Sequence, residues 1–190
     1  MSEGAALTAL DPDEVRVYTL DTGERIRVRA AVRVILAHHA GVAPEAIEIT
    51  SGPKGKPLLA SDLSLHFSYS HSHGVALVAV TRVGPVGVDV ERARPVVPIT
   101  GTVLRRFFGE KEAGEILAAD DAGYRYVLAW TRAESAVKAR GGSVWEGATP
   151  DPSIVVRALV APQGYAASVA VIHPAWRLTQ VALRASDLGV

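Results

Sequence analysis

The segment Val86-Gly87-Val88-Asp89-Val90-Glu91 constrains the fold of this chain more than any other stretch. Its valines alternate with glycine and two carboxylates, and successive side chains of a strand point to opposite faces of a sheet. The alternation predicts a strand in which Asp89 and Glu91 project together from the face opposite the valines. Two interpretations stay open: a solvated face, or an enclosed face where a cation or hydrogen-bond donors compensate the charges. An enclosed pair of this kind suits Mg²⁺, which proteins hold by one or two carboxylates together with substrate phosphates.

Helices and strands intermix around this segment without a regular strand-helix-strand repeat, which favours an α+β fold. Helical spacing of apolar residues predicts a first helix at 22–39, with Thr22 as its cap and Gly41 after its end. Two further helices are expected at 103–119 and at 122–140, the second ending at a pair of glycines. The predicted strands are 47–50, 67–69, 75–80, 86–91, 154–159, 167–172 and 178–183.

Composition excludes several classes of function. The 190 residues are 48% apolar, which is ample for a core, and 20 Lys and Arg balance 20 Asp and Glu. A net charge of zero gives no overall field for a nucleic-acid or membrane partner. Because there is no Cys, disulfides, thiolate zinc sites and thiol nucleophiles are ruled out. With neither a signal pattern nor an apolar run long enough to span a membrane, we expect a soluble, cytoplasmic protein.

The histidine- and serine-rich segment 66–73 offers three interpretations. We expect residues 70–74 to form a polar break between two strands. Zinc ligation is disfavoured because His66 and His71 lie five apart with no supporting Cys or HExxH motif. A serine hydrolase is disfavoured because no Gly-x-Ser-x-Gly elbow is present. A loop of serine hydroxyls, backbone N–H groups and one histidine would hold a phosphate well.

The long predicted helix carries a charged pair on the same face as an aromatic side chain. Glu134 and Lys138 are four residues apart and share a face with Val127 and Trp130. The pair is either a surface ion pair or a functional pair. In the second case, Glu134 would be a metal ligand or general base beside a cation that neutralises a phosphate.

Two other basic features could serve an anion. Arg25, Arg29 and Arg33 form a stripe along the first predicted helix, which is either solvated or close to a phosphate. Lys56 lies in a Gly- and Pro-rich turn, 52–57, whose glycines leave backbone N–H groups accessible.

In this order, the segments resemble the motif set of the surfactin-type 4′-phosphopantetheinyl transferases over roughly residues 25 to 171. The matching segments are Gly55-Lys56-Pro57, Phe67-Ser68-Tyr69-Ser70-His71-Ser72, Val86-Gly87-Val88-Asp89-Val90-Glu91 and 130–139, with weaker signals at 107–112 and 164–166. The resemblance implies two similar α+β halves packed as a pseudo-dimer, here residues 1–82 and 83–190, with the metal site in the second. Coenzyme A and Mg²⁺ would bind between the halves.

The resemblance also implies an activity: transfer of 4′-phosphopantetheine from coenzyme A to a serine of an acyl or peptidyl carrier protein, releasing 3′,5′-ADP. The implied magnesium ligands are Asp89, Glu91 and Glu134. The implied coenzyme A contacts are Lys56, Ser70, His71 and Lys138, with Arg25 near the 3′-phosphate. Glu134 would take the serine proton, while Lys138 and His71 would support the phosphates. We expect a monomer that docks its carrier through Phe107, Phe108 and the segment after Gly141.

Two positions depart from the family pattern. Ala133 stands where a lysine usually precedes the helix glutamate, and Ser68 stands where asparagine is usual. Arg132 does not replace that lysine, because adjacent helical residues point about 100° apart. The N-terminal region is also short for the family. A second hypothesis is therefore a non-catalytic member that binds coenzyme A or a carrier as a regulator, and a third is an unrelated magnesium phosphotransferase or phosphohydrolase.

Overall fold

A computed structural model describes residues 7–22, 24–93, 100–142 and 151–190, and it confirms the α+β class. The strands within these ranges are β1 (Glu14–Leu20), β2 (Ile49–Ser51), β3 (Pro57–Leu59), β4 (His66–Ser72), β5 (Val75–Thr81), β6 (Val86–Arg92), β7 (Ile154–Ala158), β8 (Tyr165–Ile172) and β9 (Arg177–Leu183). The helices there are α1 (Arg25–Ala40), α2 (Gly101–Leu117) and α3 (Ala122–Arg140). Within the same ranges, no helix combines the length and apolarity that crossing a bilayer requires.

Two antiparallel three-strand units follow the same plan. In the first, β1 pairs with β5 and β5 with β4; in the second, β6 pairs with β8 and β8 with β7. A helical segment separates the first strand from its partners in each unit. The last strand, β9, joins the first unit by pairing in parallel with β1. The division of the chain after residue 82 stays a prediction. Strand β9 follows this point in the sequence but pairs with β1 in the sheet of the first unit.

The two sheets stack face to face with one helix outside each. Valines of β6 lie in one apolar cluster with side chains from β1 and β5, so this cluster fills the space between the sheets. A second cluster joins the other face of the first sheet to α1. Helix α3 covers the outer face of β6 and β8. The order helix, sheet, sheet, helix agrees with the expected packing of two similar halves.

Glycines end two of the helices as predicted. Gly41 follows α1 with φ 69° and Gly141 follows α3 with φ 74°, a left-handed conformation that glycine adopts without steric cost. The predicted cap of α1 was wrong: the helix begins at Arg25, and the Thr22 hydroxyl accepts the N–H of Glu24 at 3.4 Å, before the helix starts.

Helix α2 is shifted from its predicted range and interrupted. It starts and ends about two residues earlier than expected, and Gly109, with φ 79° and ψ 171°, breaks its regular path. Leu104, Ala113 and Ile116 pack with Ala129 of α3 in a small separate cluster.

The polar break expected at 70–74 was wrong. Strand β4 runs through to Ser72, and only His73 and Gly74, with φ 47° and 113°, form the turn to β5. The serine hydroxyls find partners on β6, so polar side chains remain in the strand. The register between β4 and β6, on which these contacts depend, has no local signal in the sequence.

Candidate active site

Helix α3 packs unusually close to β6 at Gly87. A Cβ atom at this position would lie 2.0 Å from the backbone oxygen of Ser135 and 2.5 Å from the backbone nitrogen of Ala139. Only glycine permits so close an approach. The face of β6 that carries Gly87 also carries Asp89, and it is therefore held against the helix turn that carries Glu134 and Lys138.

Asp89 is buried at this contact and pairs with Lys138. The Lys138 Nζ lies 2.6 Å from Asp89 Oδ1, and only 3% of the Asp89 side chain is exposed. The ammonium also donates to Ser70 Oγ and to the backbone oxygen of Val88, both at 3.3 Å. Its three hydrogens thus have three acceptors. The expected projection of Asp89 away from the buried valines is confirmed.

Glu134 lies on the other side of Lys138. Its Oε2 is 3.9 Å from the Lys138 Nζ, and a quarter of its side chain is exposed. Burial raises the pKa of Glu134, the negative charges of Asp89 and Glu91 raise it further, and Lys138 opposes them. Three carboxylates therefore share one region of negative potential.

Serines of β4 hold the carboxylates of β6. Ser70 Oγ donates to Asp89 Oδ1 at 2.8 Å, and Ser72 Oγ donates to Glu91 Oε2 at 2.9 Å. Sequence reasoning assigned Ser70 to a phosphate and missed Ser72 as a partner of Glu91. The alternation of serines in β4 was a visible signal, but the register between β4 and β6 was not.

A cavity of about 310 Å³ opens beside this cluster. One wall comes from residues 54–57 and 67–69, and the second comes from α3 and its end. Trp130, Glu134 and Lys138 line the second wall. An adjoining cavity of about 280 Å³ is lined by Arg29 and Arg33 and shares Gly55, Pro57 and Tyr69 with the first.

Lys56 lies within the wall of the first cavity and not on a free loop. Its Nζ donates to the backbone oxygens of Ala139 at 3.2 Å and Val86 at 3.4 Å, linking the turn before β3 to α3 and β6. Burial lowers the pKa of Lys56.

Two residues expected at the site, Arg25 and His71, do not line either cavity. Arg25 is exposed at the start of α1 and does not line either cavity, whereas Arg29 and Arg33 of the same stripe do. His71 follows Ser70 in β4 and shares a face of the strand with Phe67 and Tyr69, which both line the first cavity. Ser70 lies on the other face, where it contacts Asp89.

The Phe107–Phe108 pair is half-buried against α3. Phe107 packs on Trp130 with ring centroids 5.8 Å apart, and Phe108 packs on Tyr126 at 6.2 Å. These rings secure α2 to α3, and docking of a carrier there stays a prediction. The segment after Gly141 lies outside the described residues from position 143 onward.

Of the two departures from the family pattern, Ser68 lines the cavity and Ala133 directly precedes Glu134, which also lines it. Ser68 is buried in its wall, and its Oγ accepts the N–H of Val88 at 3.1 Å. Arg132, next to Ala133, turns towards α2, where it lies 3.7 Å from Glu112. The expectation that Arg132 does not replace the missing lysine agrees with this orientation.

The donor chemistry of the cluster fits Mg²⁺. Within the described ranges, Asp89 Oδ2 is buried without a hydrogen-bond partner, although no three metal-binding side chains there are already arranged around one point. Carboxylate oxygens are the ligands that Mg²⁺ prefers. An unpaired buried oxygen in a region of shared negative charge is the feature that a cation would satisfy.

Comparison with known protein families finds a match for one segment of the chain. Residues 85–166, which include β6, α2 and α3, match the 4′-phosphopantetheinyl transferase superfamily.

Curated proteins show the same similarity. The chain is 33% identical over 117 residues to the 4′-phosphopantetheinyl transferase AcpT of Escherichia coli strain K12, covering 61% of this chain and 58% of that protein. It is 31% identical over 124 residues to the 4′-phosphopantetheinyl transferase HetI of Nostoc sp. PCC 7120, covering 61% and 51%. It is 29% identical over 126 residues to the putative 4′-phosphopantetheinyl transferase slr0495 of Synechocystis sp. PCC 6803, covering 64% and 51%. The chain spans little more than half the length of these curated relatives.

Proposed function

Because residues 85–166 match the 4′-phosphopantetheinyl transferase superfamily, we propose that this chain transfers 4′-phosphopantetheine from coenzyme A to a serine of a carrier protein. The observation that carries the proposal is the cluster of Asp89, Glu91, Glu134 and Lys138 beside a cavity between the two halves. Charged groups of this kind are what phosphoryl transfer needs, since its catalysis depends mainly on positioning and on stabilising charge.

The reaction forms one bond and breaks another at the same phosphorus. The hydroxyl oxygen of the carrier serine attacks the phosphorus that is joined to pantetheine. The bond from this phosphorus to the bridging oxygen breaks, and 3′,5′-ADP leaves with the bonding electrons.

Glu134 is the proposed base for the serine proton. Its raised pKa makes it a better proton acceptor than an ordinary glutamate, while Lys138 beside it helps to keep it ionised. Lys138 is the proposed cation for the phosphates, and using it there requires that some of its bonds to Asp89, Ser70 and Val88 loosen. Both groups lie on one helix face, four residues apart.

Other residues are proposed to hold coenzyme A. Lys56 borders the same cavity, while Ser70 sits beside Asp89. For His71 and Arg25 the proposal rests on the sequence resemblance alone. Arg29 and Arg33 are added because they line the adjoining cavity and could receive an anionic group.

Mg²⁺ is the proposed metal, with Asp89, Glu91 and Glu134 as the residues that would hold it. When bound, it would neutralise pyrophosphate charge and stabilise the leaving oxygen. The buried, unpartnered Asp89 Oδ2 supports this assignment.

We assign the chain to the surfactin-type subgroup, because its ordered motifs run through both halves. The proposed partners are acyl or peptidyl carrier proteins of fatty-acid, polyketide or nonribosomal-peptide synthesis. We further propose a cytoplasmic monomer, in agreement with a chain that has no Cys. A second candidate, a weak or inactive member that binds coenzyme A or a carrier as a regulator, is favoured by Ala133 alone.

Release of 3′,5′-ADP tests the proposal. Purified protein is incubated with coenzyme A and Mg²⁺, with and without an apo carrier, and the nucleotide is measured by chromatography. We expect release only with the carrier. Release without a carrier would indicate a hydrolase, and no release with several carriers while coenzyme A binds would favour the regulator.

A further inference from the structure

Strands β4 and β6 run side by side where the two sheets meet, and three serines of β4 connect them. Ser68, Ser70 and Ser72 alternate along the strand and so lie on one face. Their partners on β6 are 19 or 20 residues further along the chain in every case. We call these three residues the serine ladder.

The ladder takes the place of backbone pairing at the edge of a sheet. Strand β6 has β8 on one side only, and an edge strand leaves backbone groups without partners. Ser68 Oγ accepts the N–H of Val88 at 3.1 Å, and Ser72 Oγ accepts the N–H of Arg92 at 3.3 Å. The ladder therefore joins the two halves along the edge that borders the carboxylates.

Ser72 differs from Ser68 because it also holds a carboxylate. Its side chain is buried, its oxygen accepts the Arg92 N–H, and its hydrogen is directed to Glu91 Oε2 at 2.9 Å. The Nδ1 of His73 lies 3.1 Å from the same hydroxyl and further restricts its rotation. A hydroxyl fixed in this way limits the rotamers that the half-buried Glu91 can adopt.

We infer that Ser72 is a positioning residue that aims Glu91 at the region shared by Asp89 and Glu134. The inference rests on the proposed function, because it assigns the three carboxylates to one cation. Ser68 belongs to the same ladder, but its hydroxyl accepts the backbone N–H of Val88 and holds no carboxylate among the described residues, so its role in the ladder is to join the halves. Glu91 lies two residues after Asp89 in β6, so both side chains project from the same face of the strand.

The test compares Ser72→Ala with Ser68→Ala and Ser72→Thr. Titration calorimetry measures Mg²⁺ binding to each full-length variant in the presence of saturating coenzyme A. Loss of a hydrogen bond that orients a metal ligand typically weakens metal binding by about 10- to 100-fold, and we expect at least about 10-fold for Ser72→Ala. We expect less than about twofold for Ser68→Ala, although its melting temperature should fall. Ser72→Thr keeps the hydroxyl and should restore binding.

A double-mutant cycle in the metal-free protein provides an independent measurement. The stabilities of Ser72→Ala, Glu91→Gln and the double variant are compared by chemical denaturation. We expect the loss of unfolding free energy in the double variant to differ clearly from the sum of the losses in the two single variants. The inference would be overturned if the two substitutions changed the free energy of unfolding additively. It would also be overturned if Ser72→Ala and the natural protein bound Mg²⁺ with equal affinity.

Failure of the inference and failure of the proposed function look different. If Mg²⁺ binding depends on Ser72 but no carrier is modified, the proposed transfer fails and the positioning role stands. If the natural protein binds no Mg²⁺ while the coupling persists, Ser72 only joins the halves and the positioning role is overturned.

Discussion

The Lys138 ammonium lies 2.6 Å from the buried Asp89 carboxylate, and this pair joins helix α3 to strand β6 at the proposed site. Asp89 is almost completely buried, while 30% of the Lys138 side chain is exposed. A buried charge is costly when its partner is removed. The pair is therefore both part of the proposed site and part of the packing between helix and sheet.

Lys138→Met should destabilise the protein. Removing one partner of a buried ion pair costs about 3–5 kcal/mol, and the partial exposure of Lys138 reduces the expected loss to about 2–3 kcal/mol. Chemical denaturation without metal measures it, and Mg²⁺ should recover part of the loss. Lys111→Met, at an exposed position on α2, is the matched control and should change stability little. Equal effects of the two substitutions would contradict the importance of the pair.

Gly87→Ala should separate α3 from β6. Its Cβ would meet backbone atoms at 2.0 and 2.5 Å, which no side-chain rotation can relieve. We expect a loss of about 2 kcal/mol or more, seen as a lower melting temperature. Gly114→Ala in α2 is the control, since its Cβ would meet nothing within 4 Å and alanine favours helices by roughly 1 kcal/mol. A Gly87→Ala protein as stable as the natural one would disprove the close contact.

Local patterns predicted much of the fold. The strand at 86–91 and the helix at 122–140 follow from strict alternation and from helical spacing that ends at a glycine, and both were correct within about a residue. Thr22 and the segment 70–74 were misjudged, because the helix start and the extent of β4 depend on contacts with distant residues.

The site was predicted by residue type and order, and not by arrangement. Alternation placed Asp89 opposite the buried valines, and helical spacing placed Glu134 beside Lys138. Their meeting depends on the close approach at Gly87, which gives no signal in local patterning. For the same reason, the bonds of Lys56 to two backbone oxygens could not be foreseen.

Stability should fall as the pH decreases from about 6.5 to 4, because His39 is buried. Burial, together with the neighbouring His38, lowers the pKa of His39 to about 4. The unfolded chain takes up a proton near the ordinary pKa, whereas the folded chain resists it until the pH approaches 4, so folding loses free energy across this interval. His39→Gln cannot titrate, and denaturation midpoints measured at several pH values should show a smaller slope for it. An unchanged slope would show that His39 is not responsible.

Ala133→Lys should increase the rate of carrier modification. The substitution restores the cation that the family pattern places before the helix glutamate, next to Glu134. We expect kcat/KM to rise about 10-fold, less than the roughly 100- to 1000-fold that a fully preorganised donor provides, because the added side chain is flexible. Ala136→Lys adds the same charge to the same helix one turn further on and should have a smaller effect. If both variants have the same kcat/KM as the natural protein, the absence of a lysine at position 133 does not limit the reaction.

The intact mass of an apo carrier protein after incubation with this chain, coenzyme A and Mg²⁺ tests the central claim most directly. A gain equal to one phosphopantetheine group is predicted, and it should be lost with Glu134→Gln, which keeps the shape of the side chain but cannot accept the proton. Carrier proteins of several types that all keep their original mass, although the natural chain is folded and binds coenzyme A, would contradict the proposed transfer.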